Sequence, residues 1–472
     1  MRPRGAGHFG ITVEVFGMFG GTKTQASSVL GSVFVSLVLF SVTPVFAADL
    51  GENCCADLEE RIAELEATTA RKGNRKVSLT VSGFVNEAVL FWNDGRKSNA
   101  YVVTNETAQD RVRFLGQAQI SKDWTAGYLL ELGLRGARED RVNQNGPGSD
   151  NGVSVRHSAW YLSAKDYGKL WVGQTSDAAD GITEINLANT NQFSFTNSWG
   201  NTFGDQGKGF FLRQRDGTLS NNTWGQFVAQ GAQQAAPGEG HRFNVAKYES
   251  PTIAGFTASA AWGEDDIWNV ALRYAGEFSG FRLAGGVAYT QSNDFTTPDH
   301  TSAVARGVGD TSEVGLSGSI LHVETGLYAS GAWGRLHDAG LDALYKTDVD
   351  ADTSFWTIQA GIERKFFPIG KTTFFGEYFN LDRGAGFTTS SSSGVSSALN
   401  VNSLFPTGTT GDLRVASSEI RGWSIGLNQN LGEVIDVYID YKHVDLDVTA
   451  LNGDKANLDA IQFFTAGAQI KF

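Results

Sequence analysis

Arginine side chains at alternate positions are the groups in this sequence best suited to act on other molecules. Arg111 and Arg113 are separated by one residue in the segment RVRFLGQ, and Arg135 closes the segment YLLELGLR. Residues two apart in an extended chain point to the same side, so these guanidinium groups would collect positive charge on one face. Their chemistry would be electrostatic rather than covalent, and it depends on the strands that hold them.

The sequence contains little that would support covalent catalysis. The nearest arrangement to a nucleophile and a base is His157 beside Ser154 and Ser158, a combination that is frequent by chance. The chain contains no G-x-x-x-x-G-K-[ST] phosphate loop. Its formal charge of −13 disfavours nucleic acid as a partner. Its two cysteines, Cys54 and Cys55, are adjacent, which excludes a disulfide framework or a spaced thiolate cluster. We expect neither enzyme activity nor a cofactor.

From Lys76 onward, apolar and polar residues alternate with a period of two, which predicts strands with two chemically different faces. In the final segment FFTAGAQIKF, Phe464, Ile470 and Phe472 share the apolar face, which must contact a core or lipid. We predict sixteen strands, at 76–92, 110–121, 124–137, 153–164, 169–175, 241–249, 254–263, 267–276, 281–291, 312–321, 323–335, 353–366, 371–381, 418–429, 433–446 and 460–472.

The predicted connections alternate between long and short. Odd-numbered connections reach 65 residues, with one short exception at Glu264–Asp266, and no even-numbered connection exceeds four residues. Transmembrane β-barrels have this asymmetry, together with an even number of strands. Closing the sheet also leaves no unpaired edge in lipid. A soluble secreted β-protein or adhesin has no reason to place its long loops at one end. The predicted fold is therefore all-β, a 16-stranded antiparallel transmembrane β-barrel preceded by a short helical segment.

Residues 1–47 are predicted to be a cleaved signal peptide that directs export. Arg2, Arg4 and Lys23 precede an apolar run, Val29–Ala47, that ends in a small-residue cleavage site. An uncleaved membrane anchor is the alternative, and Met18 is an alternative start. Cleavage would remove three basic residues and one acidic residue and leave a net charge near −15. The strongly acidic mature chain would begin at residue 48.

Residues 48–75 form a predicted periplasmic helical segment with coiled-coil spacing of its apolar residues. Two heptads are too short to be stable alone, so the helix would need identical copies around a symmetry axis. A solvated charged spacer is an equally good interpretation. The adjacent cysteines could bridge chains or could be incidental. The predicted oligomer seam consists of Cys55, Leu58, Ile62 and Leu65.

An acidic stretch in a predicted outer loop, TDVDADT, places Asp348, Asp350 and Asp352 at alternating positions. Carboxylates at this spacing could hold Ca²⁺. The glycine and the final glutamate of an EF-hand loop are both missing, so a solvated acidic loop is the favoured interpretation. We predict no metal site.

Several stretches resemble Gram-negative general-diffusion porins. RFNVAKYESPTIAGFTASAAWG, residues 242–263, is similar to the sixth and seventh strands of those proteins, with a tyrosine before a Ser-Pro turn. The terminal Phe472 resembles the signal by which the outer-membrane assembly machinery selects barrels. DLEERIAELEATTARKGNRKVSLTVSG resembles the N-terminal segment of alphaproteobacterial porins. The resemblance covers nearly the whole chain after residue 50.

This resemblance implies a homotrimer of sixteen-stranded barrels embedded in outer-membrane lipid. Each barrel would hold a water-filled pore, narrowed by an infolded third loop, for passive diffusion of small hydrophilic solutes and ions. The third outer connection, residues 176–240, is the longest and could carry a hairpin around GFFLRQRDG or TWGQFVAQG. A substrate-specific channel is the alternative, and a barrel enzyme is the least favoured.

Charged side chains at the narrowest point of a pore set its selectivity together with the pore diameter. An arginine wall facing loop carboxylates would be similar to the constriction of the family, although the same arginines could be ordinary solvated lumen charges. The wall arginines on strands two and three have inward parity, whereas the parity on strand four is not settled. The predicted constriction consists of Arg111, Arg113, Arg135 and Arg156 on the wall and Asp177, Asp180 and Glu184 on the loop.

Two opposing charge effects act on ion selectivity. The acidic outer loops would concentrate cations in front of the pore, whereas the wall arginines would favour anions at its narrowest point. Charges beside the permeating ion are screened least. We expect a weak cation preference that is strongest at low salt.

Overall fold

The computed structural model describes residues 77–148, 152–188, 190, 194, 207–228, 236–263, 266–293, 311–339, 350–383, 387–389 and 396–472. The predicted signal peptide, the helical segment 48–75 and its seam of Cys55, Leu58, Ile62 and Leu65 lie outside the described residues. Within this part of the chain, no helix is long and apolar enough to cross a membrane.

Sixteen strands form one closed barrel, as predicted. Each pairs with the next along the chain, and the last pairs antiparallel with the first through Phe84–Asn93 and Gln462–Lys471. The strands are β1 (Ser78–Asn93), β2 (Arg111–Gln119), β3 (Trp124–Leu134), β4 (Val153–Ala164), β5 (Gly168–Ser176), β6 (Arg242–Glu249), β7 (Phe256–Gly263), β8 (Ile267–Phe278), β9 (Phe281–Ser292), β10 (Thr311–His322), β11 (Leu327–Asp338), β12 (Asp352–Phe367), β13 (Gly370–Arg383), β14 (Val415–Leu431), β15 (Ile435–Ala450) and β16 (Ile461–Lys471).

The two faces of the barrel differ in the way the alternation predicts. On β16, Phe464 and Ile470 are exposed on the outer surface, whereas Thr465 and Gln469 are buried on the inner side. Phe472 is also exposed, and its backbone exchanges two hydrogen bonds of 3.0 Å with Gly83. An outer face of exposed apolar side chains suits lipid, because hydrocarbon offers no hydrogen-bond partners and apolar side chains need none.

Long connections gather at one end of the barrel, here called the outer end. The turns at the opposite, inner end have between two and six residues. Three inner turns are longer than predicted: 120–123 has four residues instead of two, 250–255 has six instead of four, and 323–326 has four instead of one. In the last of them, Gly326 takes a left-handed φ of 76° and β11 starts only at Leu327. The outer connections are L1 (94–110), L2 (135–152), L3 (177–241), L4 (264–266), L5 (293–310), L6 (339–351), L7 (384–414) and L8 (451–460).

Several outer connections contain structure of their own. In L1, the strand Ser98–Thr104 pairs antiparallel with the outer half of β1, and the single-turn helix Glu106–Ala108 follows it. L3 contains a hairpin of Phe211–Arg213 with Leu219–Thr223, whose first strand lies in the predicted GFFLRQRDG stretch, and then the short helix Gly225–Val228. L7 contains the paired strands Phe387–Thr389 and Ser396–Ala398 and a single-turn helix, Asn402–Leu404.

Candidate pore constriction

A β-bulge between β3 and β4 determines which side chains face the lumen. Glu131 pairs with His157 and Leu132 pairs with Val155, so Arg156 is the extra residue on β4. An extra residue breaks the strict alternation of faces. As a result, Arg156 and His157 are both buried on the inner side, although they are consecutive. The bulge explains why alternation alone did not settle the orientation of Arg156.

Glu131 is the centre of a charged cluster on the inner wall. Its carboxylate accepts hydrogen bonds from Nε of Arg113 at 2.6 Å and from Nε of Arg156 at 2.8 Å. Nη1 of Arg111 lies 3.6 Å away. The carboxylate is fully buried, whereas the Arg113 side chain is 31% exposed. Three guanidinium groups from two strands are therefore held around one carboxylate, and the cluster keeps excess positive charge at the lumen surface.

Arg242, at the start of β6, extends this positive wall and was not among the predicted site residues. Its Nη1 lies 3.6 Å from Oδ2 of Asp180, and both side chains are almost completely buried. Its charge also acts on Arg156.

 Asn244 and Ala246 are exposed on the outer face of β6, so alternation alone would assign Arg242 to the outer face as well. Its burial beside Asp180 follows instead from its place as the first residue of β6, opposite Ser176, where L3 turns into the barrel.

Arg135 lies apart from this cluster. The third strand was predicted to extend to residue 137 but ends at Leu134, so Arg135 belongs to L2. Its Nε lies 3.7 Å from Oε2 of Glu106 in the single-turn helix of L1, and Arg138 contacts the other oxygen of that carboxylate. Arg135 therefore connects two outer loops above the Glu131 cluster.

The three predicted loop carboxylates have different partners. Asp180 faces Arg242, as described above. Asp177 accepts hydrogen bonds from the backbone N–H groups of Ala179 and Asp180 at 2.8 and 2.7 Å, so it closes the turn at the start of L3. Burial, followed by the charge of Asp180, raises the pKa of Asp177 to about 6. Glu184 is buried near Glu239 at the base of L3. Asp180 is thus placed beside an arginine of the inner wall.

The first part of L3 is fixed along the inner wall. Nη1 and Nη2 of Arg273 on β8 donate to the backbone oxygens of Ala178 and Asp180 at 2.8 and 2.9 Å. Further along, Ser317 on β10 accepts from the N–H of Ile185 at 3.2 Å. Asn186, Thr190 and Gln359 then join the loop to β12. L3 therefore runs inside the barrel from β6 to β12, which leaves the Glu131 cluster on a different sector of the wall.

Two other groups considered in the sequence, His157 and Asp352, make contacts typical of a structural role rather than of catalysis or metal binding. Nδ1 of His157 lies 3.0 Å from Oγ1 of Thr175, and no serine contact of its ring is recorded among the described residues. Asp352 in the acidic stretch already binds Arg335 at 2.5 Å and His337 at 2.9 Å. Asp348 lies outside the described residues. The described part of the chain contains no group of three or more metal-binding side chains.

A closed barrel with an apolar outer face, a charged inner wall and an infolded loop defines a membrane channel. The chain belongs to the Gram-negative porin family, whose model matches residues 37–450. It is therefore an outer-membrane porin, which conducts small solutes and is not an enzyme.

The chain is similar to several solved structures at low sequence identity. The anion-selective porin from Comamonas acidovorans is 14% identical, with a TM-score of 0.51, and the match covers 84% of this chain and 100% of that one. The loop L8 deletion mutant of OmpT from Vibrio cholerae is 11% identical, with a TM-score of 0.48, and the match covers 84% and 100%. OmpF from Salmonella typhi, in complex with daunomycin, is 13% identical, with a TM-score of 0.47, and the match covers 84% and 98%. No curated protein matches this chain by sequence.

Proposed function

We propose that this porin is a general-diffusion channel whose selectivity is set by the Glu131 cluster. The observation that carries the proposal is the set of three guanidinium groups around one buried carboxylate on the inner wall. Such a wall acts on ions through charge and diameter and needs no energy source. Small hydrophilic solutes and ions would cross passively, down their gradients.

Among the predicted constriction residues, we propose that Arg111, Arg113 and Arg156 line the wall. Asp180 is proposed to act together with Arg242. Arg135, Asp177 and Glu184 are proposed to support the loops instead. Arg135 contacts Glu106 of L1, Asp177 accepts from backbone N–H groups of L3, and Glu184 lies near Glu239 of L3. The excess of arginine over carboxylate changes the expected selectivity. We now expect anion preference at high salt, where the loop charges are screened, and weak cation preference at low salt.

Replacing Arg111 and Arg113 together by serine should shift selectivity toward cations and raise the single-channel conductance. A unit charge ~6 Å from an ion in water-like surroundings contributes about 0.7 kcal/mol, which is roughly threefold for each sign of ion. Each removed charge thus changes the permeability ratio about tenfold, so removing two should raise the cation-to-anion permeability ratio by up to about a hundredfold, as measured from reversal potentials in a KCl gradient.

The matched control is the double replacement of Arg364 and Lys365 by serine, since both residues are exposed at the inner end of β12. It removes the same net charge away from the Glu131 cluster. An unchanged reversal potential in the Arg111 and Arg113 variant, or an equal shift in the control, would refute the assignment of the constriction.

We also propose that the porin is a homotrimer, in keeping with its family, and that the seam of Cys55, Leu58, Ile62 and Leu65 helps to hold it together. Deleting residues 49–72 should lower the temperature at which the oligomer dissociates in detergent, because a short helix gains stability only from its copies. An unchanged dissociation temperature would exclude the coiled-coil role.

Export and assembly complete the proposal. Residues 1–47 are proposed to be removed as a signal peptide, which leaves residues 48–75 in the periplasm before the barrel domain of 76–472. The mass of the mature protein tests this directly, and an intact N-terminus would contradict it.

Phe472 is proposed to be recognised by the outer-membrane assembly machinery. Its replacement by serine should therefore reduce the amount of folded barrel in cells but not refolding in detergent.

A further inference from the structure

The distal part of L3 occupies the outer mouth of the barrel and is separate from the limb that runs along the inner wall. Its hairpin, Phe211–Arg213 with Leu219–Thr223, is followed by the short helix Gly225–Val228. We call residues 210–228 the mouth hairpin. It contacts four other outer connections, L1, L2, L7 and L8.

A buried ion pair holds the mouth hairpin to L1. Nε and Nη2 of Arg213 donate to Oδ2 of Asp94 at 3.1 and 2.8 Å, and both side chains are almost completely buried. Burial alone would raise the pKa of Asp94, but Arg213 and the backbone N–H groups of Lys97 and Arg96 lower it below its usual value. The carboxylate is thus charged at neutral pH, and the pair stays intact.

Backbone pairing holds the mouth hairpin to L8. The N–H of Asp459 donates to the oxygen of Arg213 at 2.8 Å, and the N–H of Arg215 donates to the oxygen of Asn457 at 3.0 Å. Nε of Arg215 also donates to the oxygen of Leu458 at 3.1 Å. These contacts continue a strand-like pairing between two segments that are far apart in sequence.

Side-chain hydrogen bonds add L2 and L7. Gln144 of L2 both accepts from and donates to the backbone of Phe211, at 3.0 and 2.9 Å. Nε2 of Gln214 donates to the backbone oxygen of Ser403 in L7 at 2.7 Å. Oγ of Ser403 donates to Oδ1 of Asn222 at 2.6 Å. The mouth hairpin is therefore fixed on several sides.

Aromatic packing fixes the inner side of the mouth hairpin. The ring of Phe210 lies 5.1 Å from Trp92 and 5.5 Å from Phe463, at the outer ends of β1 and β16. Trp224 and Phe227 are buried in the same apolar cluster, with wall residues of β12 and β13. Apolar groups packed this closely exclude water from the space between the hairpin and this sector of the wall.

We propose that the mouth hairpin is a fixed second size filter at the outer end of the pore. It covers the sector of the mouth next to β12–β16 and β1, so solutes enter over the remaining sector and then pass the Glu131 cluster. The inference rests on the proposed passive pore. Size selection at the mouth and charge selection inside the barrel are then performed by different parts of the chain.

Neutral polyethylene glycols of graded size, added to one side of a planar bilayer at a time, separate the two filters. In the unmodified protein, we expect the size limit for entry to be lower for polymers added to the outer side than for polymers added to the inner side. Replacing residues 211–223 by a short Gly-Ser linker should raise the outer cut-off toward the inner one and leave the reversal potential unchanged. Equal cut-offs from the two sides in the unmodified protein, or an unchanged outer cut-off after replacement, would overturn the proposal.

A milder variant covers the case in which the replaced loop prevents folding. Arg213→Gln removes the ion pair with Asp94 but keeps the aromatic contacts, so the outer cut-off should rise partly, with added current noise. The control is Arg414→Gln, an exposed arginine that pairs with Asp412 inside L7. An outer cut-off in Arg213→Gln equal to that of the control would overturn the filter, whereas the absence of any polymer-sensitive conductance would also overturn the passive pore.

Discussion

Replacing Glu131 by glutamine should make the channel strongly anion-selective. The carboxylate is fully buried and contacts three arginines, so its neutralisation leaves their charge uncompensated at the lumen. With one unit of charge at ~6 Å contributing about 0.7 kcal/mol, each sign of ion shifts roughly threefold in opposite directions. We therefore expect the anion-to-cation permeability ratio to rise by about tenfold in reversal-potential measurements.

The matched control is Glu433→Gln in an exposed inner turn, which changes the net charge equally. Glu131→Gln should also lower the thermal stability of the folded barrel, because removing one partner of a buried ion pair typically costs about 3–5 kcal/mol. A folded variant with the reversal potential of the unmodified protein would show that Glu131 does not act on the permeating ions.

Replacing Glu239 by alanine should loosen L3 and increase current fluctuations. Its carboxylate accepts hydrogen bonds from the backbone N–H groups of Gly181 and Thr183, the latter at 2.8 Å, and from the Thr183 hydroxyl at 2.5 Å. Each buried N–H left without its partner costs about 1–3 kcal/mol. Glu239→Gln keeps a hydrogen-bond acceptor, so its current fluctuations should be smaller than those of Glu239→Ala. Equal noise in the two variants would contradict this anchoring role.

The same anchor predicts a pH dependence. Burial, followed by the charges of Glu184 and Asp180, raises the pKa of Glu239 well above its ordinary range, and the pKa of Asp177 is raised to about 6. A carboxyl group with a raised pKa in the folded state stabilises that state below its ordinary pKa and loses this contribution as the pH rises through the raised value. Because the raised pKa of Asp177 lies between the two values, current fluctuations of L3 should be smaller at pH 5 than at pH 7.5, and Asp177→Asn should reduce the difference. Noise that rises on acidification would contradict the assignment.

The barrel was largely predictable, because lipid on one side and water on the other impose a strict period of two. All sixteen predicted strands are present, and the final strand exposes Phe464 and Ile470 as expected. Boundaries were less predictable. Gly326 delays β11, and the strand Ser98–Thr104 was absorbed into a predicted connection, since its pairing with β1 is a local hairpin that alternation does not reveal.

The candidate constriction was predictable only in part. Arg111 and Arg113 follow from parity alone, whereas Arg156 depends on a bulge that shifts the register by one residue. The buried centre, Glu131, and the neighbouring Arg242 were missed, because their importance comes from contacts between strands and loops distant in sequence. The partners of Asp177 likewise lie in the fold of L3 rather than in residue spacing.

Single-channel recording of the purified protein in a planar bilayer tests whether the barrel is a passive, water-filled pore. A passive water-filled pore predicts stepwise conductance that scales with the conductivity of the KCl solution and needs no added energy source. It also predicts a reversal potential that moves toward cation preference as the salt is diluted. Conductance that saturates at micromolar concentrations of one solute, or no conductance steps at all, would contradict the account.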